Sequence, residues 1–364
     1  MARLAESLAR CGAEVEVLSL NPRKHHRDVV TAPLPIRAID IDTSRVVVPA
    51  LQAMSSSVPL IVARFISGEF RDAIRAYKPD LVQLEGPFLL PYVDDVRARV
   101  VMRPQNVEFR IWEGLARRNP LYRLLASSLR RYEVANLNTP DAVVPISEDD
   151  AVDLRALGCT RPMHVVPCGI PLPEVGAGEP NSVGFIGALD FRPNQQAVEW
   201  IVDELWPRVT ALVPEARLSI AGSSAPAWLR KHVGQAILPA PGGGQAGLPV
   251  LQSDVADAQA FVRSKSVMIA PLFAGGGMRI KVLEAMALAK PVVATPLGAG
   301  GVNVRHGRDI LLANDVQSFA EAVALLLRDA DIAARIGGAA RETVAAHYDS
   351  DTLARGLLKF YEAL

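Results

Sequence analysis

Residues 273–296, FAGGGMRIKVLEAMALAKPVVATP, restrict the fold more than any other part of the chain. An apolar run at 267–272 leads into Gly275, Gly276 and Gly277, three successive residues without a Cβ. Such a backbone can turn tightly and aim N–H groups at an anion. The helical pattern that follows brings the positive end of a helix dipole to the same place. Arg279 and Lys281 fall in the first turns of that helix, and Glu284 lies one turn after Ile280. Pro291 ends the helix near Lys290, because the residue before a proline avoids the helical region, and PVVAT reads as the next strand. Strand, glycine loop, basic helix start and strand describe a phosphate site in a parallel α/β sheet and predict a phosphorylated ligand.

The rest of the second half repeats this rhythm. Residues 183–189 (VGFIGAL) and 216–222 (ARLSIAG) read as strands, and 194–209 as a helix starting after Pro193. Residues 255–264, 319–327, 332–346 and 351–364 read as helices. The Gly/Pro-rich 239–249 reads as a connection, with Gly242, Gly243 and Gly244 a flexible loop rather than a second phosphate cradle. In the first half, 13–20, 79–85, 98–104 and 141–147 are short apolar strands between helical segments. Alternation of this kind implies doubly wound parallel sheets. A chain of 364 residues exceeds one ordinary core. The Pro- and Gly-bearing VVPCGIPLP marks the division into an N-terminal domain (1–166), a linker (167–182), a C-terminal domain (183–346) and a last helix (347–364) that packs back on the N-terminal domain. Both Ser147 and the glycine loop then fall at carboxyl ends of strands, where such sheets bind ligands.

Composition narrows the function. Lys+Arg and Asp+Glu number 39 each, so there is no basic excess for a nucleic acid partner. Cys11, Cys159 and Cys168 show neither metal-site nor disulfide spacing and read as reduced thiols, placing the chain in the cytoplasm. The apolar region 46–66 is broken by Pro49, Pro59, Arg64 and a serine run, so it does not read as a membrane span. No strand is followed by a full G-x-G-x-x-G, which sets aside a dinucleotide-dependent oxidoreductase.

The segments PDLVQLEG, RPQNVEFRIWE, VVPISEDD, FIGALDFRPN and GGGMRIKVLEAMALAKPVVATPLGAGG resemble the family-4 retaining glycosyltransferases of the GT-B fold, two Rossmann-like domains facing a cleft. The resemblance implies that Glu284, as the second glutamate of an E-x7-E motif, binds the donor ribose, a carboxylate accepting two hydroxyls. It implies that Arg279, Lys281 and the glycine loop neutralise the donor diphosphate, with Arg192 a further basic candidate in the loop after the first C-terminal-domain strand. It places Gln105, Asn106, Glu108 and Ser147 on the acceptor and sugar side.

Three departures accompany it. The first glutamate of the motif is replaced by Gly276, as in G-x-R-x-K sub-branches. Gln105 stands where many relatives carry histidine, so the side chain can donate a hydrogen bond to a sugar hydroxyl but cannot become cationic. Met1 aligns inside the helix that follows the family's first strand and Gly-rich loop, so the chain reads as N-terminally truncated.

The implied chemistry is transfer of a sugar from a nucleotide diphosphate sugar to a hydroxyl with retention. It needs no cofactor and no metal, and catalysis comes from positioning and stabilisation of the departing diphosphate. Expected acceptors are glycans or lipid-linked glycans of bacterial polysaccharide, lipopolysaccharide or glycolipid synthesis. The basic, amphipathic 110–131 raises peripheral contact with the inner membrane, although an ordinary helix with a solvated arginine face explains it as well. Asp40-Ile41-Asp42 reads as a chance likeness to a metal motif. Two alternatives stay open: a nucleotide-sugar epimerase or hydrolase, for which Glu85 and Glu108 are the candidate carboxylates, and a non-catalytic nucleotide-sugar-binding protein. The region 46–68 is expected to shape the acceptor pocket.

Overall fold

The computed structural model describes residues 2–22, 34–44, 58–105, 107–116, 122–235, 249–253, 255–274 and 278–364. The chain divides into two compact units, Met1–Gly169 with Ser350–Leu364, and Ile170–Asp349.

In the first unit, β1 (Val17–Pro22) pairs in parallel with β2 (Ile36–Ile41). A second parallel sheet has the order β3 (Leu81–Leu84), β4 (Arg99–Met102), β5 (Ala142–Val143). Strand β2 was not foreseen: its IRAIDI alternation was masked by the Asp40-Ile41-Asp42 likeness, yet Ile39 and Ile41 are buried and Asp40 accepts from Asn21 Nδ2 at 2.9 Å. The N-terminal helix Ala2–Arg10 buries Leu4 and Leu8 against Ala354 and Leu357 of the C-terminal helix Ser350–Glu362, and Arg10 pairs with Asp351 at 2.6 Å. Gly86, at φ 101, reverses the chain after β3 into a 3-10 segment, Pro87–Asp95.

The second unit holds one six-stranded parallel sheet of β6 (Ser182–Ile186), β7 (Arg217–Gly222), β8 (Val250–Ser253), β9 (Val267–Ala270), β10 (Val292–Ala294) and β11 (Leu311–Leu312). Their spatial order is β11-β10-β9-β6-β7-β8. Side-chain alternation feeds two cores. Val183, Phe185, Leu218, Ile220, Ile269 and Val293 pack on one face, and Met268, Ala270, Val292 and Ala294 on the other. Helices cover both faces, which is why β9 and β10 are apolar throughout. The helix expected at 194–209 begins instead at Arg192, because Pro193 suits a first turn. It runs to Trp200, passes through a π segment, Ile201–Leu205, and resumes as Trp206–Leu212. Pro207 has no N–H to give to the preceding turn, and the wider π turn absorbs that loss.

Candidate functional site

The order of the six-stranded sheet fixes where a ligand can sit. The chain starts at central β6, winds outward through β7 and β8, then returns to β9 on β6's other side and winds outward again. The switch point lies between β6 and β9, and ligands of open parallel sheets bind beyond the carboxyl ends there. Lys281, just after β9, and Asn194, just after β6, meet at that point: Lys281 Nζ donates to Asn194 Oδ1 at 2.8 Å. Asn194 Nδ2 in turn donates to the Ala188 carbonyl at 2.8 Å, which fixes the amide with its oxygen towards the lysine. The ammonium also lies 4.6 Å from the centroid of the Phe185 ring. Gly187 makes the approach feasible, since a Cβ there would stand 2.7 Å from Nζ and 2.8 Å from Asn194 Nδ2. Burial, and secondly the neighbouring Arg279 charge, push the Lys281 ammonium down to about 8.

The surrounding turns are pinned by short backbone contacts. Thr295 Oγ1 donates to the Leu272 carbonyl at 2.6 Å and accepts from Gly298 N at 2.9 Å, tying the end of β10 to the end of β9. The Gly298 and Gly222 positions admit no Cβ, which would lie 1.9 Å from the Ala270 oxygen and 1.8 Å from the Gly187 oxygen respectively. Arg279 is not inside the first helical turn as expected. It occupies the cap position of helix Ile280–Ala287, with Nε donating to the Leu297 carbonyl at 3.2 Å, and burial lowers its pKa. The helix itself stops at Ala287, earlier than Pro291 alone requires. Ala289, at φ 54, closes it with Lys290 N to Ala285 O at 3.0 Å and Ala289 N to Met286 O at 2.9 Å. Glu284 lies on this helix, half-buried. Gly275, Gly276 and Gly277 lie outside the described residues, as do Asn106, Gly242, Gly243, Gly244 and most of the 46–68 region.

Arg192 is not in a loop. It is the first residue of its helix, exposed, with Nη1 donating to Glu199 Oε1 at 3.2 Å and to Gln195 Oε1 at 3.4 Å. The loop reading failed because the helix starts two residues earlier than Asn194.

In the first unit, the carboxyl ends of β3 and β4 carry a separate polar cluster. Glu85 accepts from Gln83 Nε2 at 2.5 Å, from Gln105 Nε2 at 2.6 Å and from Arg103 Nη1 at 3.5 Å. Arg103 is buried, donates a second bond to the Val166 carbonyl at 3.2 Å, and leaves its Nε without a partner. The Tyr361 hydroxyl of the C-terminal helix bonds Gln83 Oε1. Gln105 therefore commits one amide N–H to Glu85 and keeps a second N–H and its oxygen for other partners. Glu108 begins helix Glu108–Ala116, and burial raises its carboxyl pKa. Its backbone N–H and that of Phe109 are capped by Glu133, at 3.2 and 2.8 Å. Ser147 is the N-cap of Glu148–Ala156: its Oγ accepts from Asp150 N at 3.1 Å and donates to Asp150 Oδ2 at 2.6 Å. That hydroxyl is already occupied by the fold.

Residues 180–329 match the family model of glycosyl transferases group 1, and residues 1–169 match a glycosyl transferase 4-like domain. The chain belongs to the glycosyltransferase family. An uncharacterised 44.6 kDa protein of the cps region of Klebsiella pneumoniae is 29% identical over 193 residues, which cover 52% of this chain and 48% of that protein. A GDP-mannose-dependent alpha-(1-6)-phosphatidylinositol monomannoside mannosyltransferase of Mycobacterium tuberculosis is 41% identical over 86 residues, covering 23% of this chain and 22% of the relative. The matched regions thus span about half or less of these curated relatives. Among solved structures, HepE from Anabaena in complex with UDP and glucose superposes with a TM-score of 0.64 at 16% identity, covering 100% of this chain and 96% of that one. Sucrose-phosphate synthase from Thermosynechococcus elongatus gives 0.65 at 19% identity, covering 99% and 91%. These neighbours establish the GT-B fold.

Asn194, Gly187 and Thr295 were missed in the sequence. The asparagine of FRPN was visible, but nothing local says that a residue after the first strand of this unit meets a lysine after the fourth. That follows only from the strand order.

Proposed function

We propose that the protein moves a sugar from a nucleotide diphosphate sugar to an acceptor hydroxyl with retention of anomeric configuration. The observation that carries this reading is the half-buried Lys281, its ammonium held by Asn194 under Gly187 at the switch point of the sheet. A cation kept there against its desolvation cost is suited to a ligand of high negative charge. In this reading Lys281 and Arg279 are the catalytic pair. They neutralise the diphosphate as it departs, together with the N–H groups of Gly275, Gly276 and Gly277. Glu284 accepts the ribose hydroxyls. The departing phosphate oxygen takes the proton of the acceptor hydroxyl, so the chain's own residues bind and orient rather than attack, and no metal or cofactor takes part. Arg192 is a peripheral contributor that must first leave Glu199. The GDP-mannose named for the mycobacterial relatives and the UDP bound by HepE set the first donors to try.

The acceptor proposed is a growing glycan or lipid-linked glycan of the bacterial surface, in line with the cps-region relative. No helix among the described residues is long and apolar enough to cross a membrane. Reach to a lipid-linked acceptor would come from peripheral contact with the cytoplasmic face of the membrane, for which Arg123, Leu124, Arg130 and Arg131, exposed on helix Tyr122–Asn136, are the candidates.

Thermal-shift titration with UDP, GDP, ADP and their sugar conjugates tests the reading. Ligand at a hundred times its Kd stabilises by about 2.7 kcal/mol, and Glu284→Ala and Lys281→Gln should each abolish or sharply weaken the shift. Absence of any shift would refute a nucleotide-sugar site. A shift without transfer to any glycan acceptor would favour a binding protein. The anomeric configuration of product, read by NMR, and activity in chelator decide retention and metal independence.

A further inference from the structure

The connection from β10 to β11 folds against the last turns of helix Ala330–His347, and a cavity of about 190 Å³ lies between them. Its lining comes from Asn303, Arg305, Arg308 and Asp309 on the connection and from Glu342 and His347 on the helix, all within the second unit. The connection is held through its backbone. Asn303 N donates to the Tyr348 hydroxyl at 2.9 Å, Arg305 N to Asp309 Oδ1 at 2.7 Å, and Leu312 N to His306 Nδ1 at 2.9 Å. Gly307, at φ 76, closes the turn with its N–H on the Ile310 carbonyl at 2.8 Å. Asp309 is 2% exposed, and its second oxygen takes the Thr343 hydroxyl at 3.0 Å, so its carboxylate is engaged in folding the turn.

The two arginines are left out of this scaffold. Arg308 N and Asp309 N both donate to the Arg305 carbonyl, at 3.1 and 3.2 Å, so Arg305 and Arg308 sit side by side on one helical turn. Both side chains are exposed, and neither guanidinium has a hydrogen-bond or ion-pair partner among the described residues. Like charges at this spacing repel, yet a pinned turn sets them together in the wall of a cavity. Glu342, exposed on the facing helix, likewise has no donor among the described residues.

We propose that this cavity is a second ligand site, built for a small sugar phosphate. The paired guanidinia match a phosphate with planar forks of N–H donors. Glu342 can only accept, so it matches sugar hydroxyls, with the Asn303 amide and the His347 imidazole beside it as further polar partners. A bare inorganic anion would meet the arginines but place a second negative charge against Glu342. A neutral sugar would leave both guanidinia unmatched. The volume lies below the roughly 300–1,000 Å³ of drug-sized pockets, which suits a hexose monophosphate better than a nucleotide sugar. The site shares no residue with the Lys281 site and stands whether or not the protein transfers sugars.

Isothermal titration of the full chain with glucose 1-phosphate, glucose 6-phosphate, mannose 6-phosphate, glucose and sulfate tests it. At least one hexose phosphate should bind about tenfold or more tighter than glucose or sulfate, the scale of one bond between charged groups. The double change Arg305→Gln with Arg308→Gln should cost that factor or more, and Lys281→Gln should bind as the wild type does. Glu342→Gln should weaken the hexose phosphate and tighten sulfate. The urea midpoint of each variant separates loss of the site from loss of the fold. Arg308→Lys keeps the charge but not the fork and should still weaken binding. Absence of binding by every hexose phosphate would overturn the site, as would affinity unchanged in both arginine variants. Affinity lost in Lys281→Gln would move the phosphate to the switch point, and sulfate bound as tightly as the hexose phosphates would overturn the assignment to a sugar phosphate.

Discussion

The state of Lys281 gives the nucleotide site a pH signature. Its ammonium is pushed down to about 8 by burial and then by Arg279. A bound diphosphate supplies compensating negative charge and should return it towards the ordinary lysine value of about 10.4. Below pH 7 the lysine is charged in free and bound protein alike, so binding takes up no proton. Between pH 8 and pH 10 the free protein loses the proton first, so binding must restore it and affinity falls. With those two values the dissociation constant at pH 9.5 should be about 30-fold weaker than at pH 7, or about 2 kcal/mol. Binding at pH 9 should take up about 0.9 proton. The terminal phosphate of a nucleoside diphosphate titrates near pH 6, outside this window, and Arg279 stays charged throughout it. Isothermal titration of GDP or UDP in buffers of differing ionisation enthalpy reads the affinity and the proton number together. Lys281→Gln should bind more weakly at pH 7 and lose the pH slope. A Kd constant from pH 7 to 9.5, or a slope that survives in Lys281→Gln, would refute the placement of the diphosphate on this lysine.

Other consequences can be checked on the same protein. Asn194→Ala removes the acceptor that holds Lys281 and should weaken nucleotide binding by about tenfold, since a bond to a charged group contributes about 1.5–3 kcal/mol, while denaturation in urea shows a folded protein. Glu133 caps a helix while buried, and burial raises its carboxyl to about 7. A raised carboxyl contributes stability that is complete below about pH 4.5 and lost as pH rises through 7. The unfolding free energy should therefore drop by about 3 kcal/mol across that window, and Glu133→Gln should remove most of the slope. Ala289→Gly relieves the left-handed φ of 54 and should stabilise by about 1 kcal/mol, seen as a higher Tm; no change would mean that the turn is not strained. Gly337→Ala would set a Cβ 2.1 Å from the Ala289 oxygen and should destabilise by about 1–3 kcal/mol.

What was legible in the sequence was what depends on neighbours along the chain. The apolar strands β6, β7, β9 and β10, the helix Ile280–Ala287 and the helices after residue 315 are all local patterns of period 2 or 3.6, and they appear within a few residues of where periodicity places them. The errors have local causes of another kind. The Asp257 and Asp315 caps shift helix starts by a few residues, because a side-chain acceptor and not the apolar pattern decides the first turn. Pro207 inserts a π turn into what reads as one continuous helix. Strand β8 follows a Gly/Pro-rich segment that gives no sign of it, and its residues are mostly exposed on an edge, where an apolar pattern is weakest.

The candidate sites divide along the same line. Arg279, Lys281 and Glu284 could be nominated because they share one helix start. Asn194 and Gly187 could not, although without them the lysine loses its hydrogen-bond acceptor and its room. They reach Lys281 because β9 returns to pair with β6, and strand order is a property of the whole sheet. The acceptor-side residues illustrate a different point. Ser147 and Gln105 were chosen by residue type and by position after a strand, and both do carry free hydrogen-bonding capacity as isolated side chains. In the folded unit Asp150 takes the serine hydroxyl, and Glu85 takes one N–H of the glutamine. A side chain's role at such a site is set by which of its atoms the fold has already engaged. For Ser147 that leaves a cap. For Gln105 it leaves one N–H and the oxygen, so the amide can still both donate and accept.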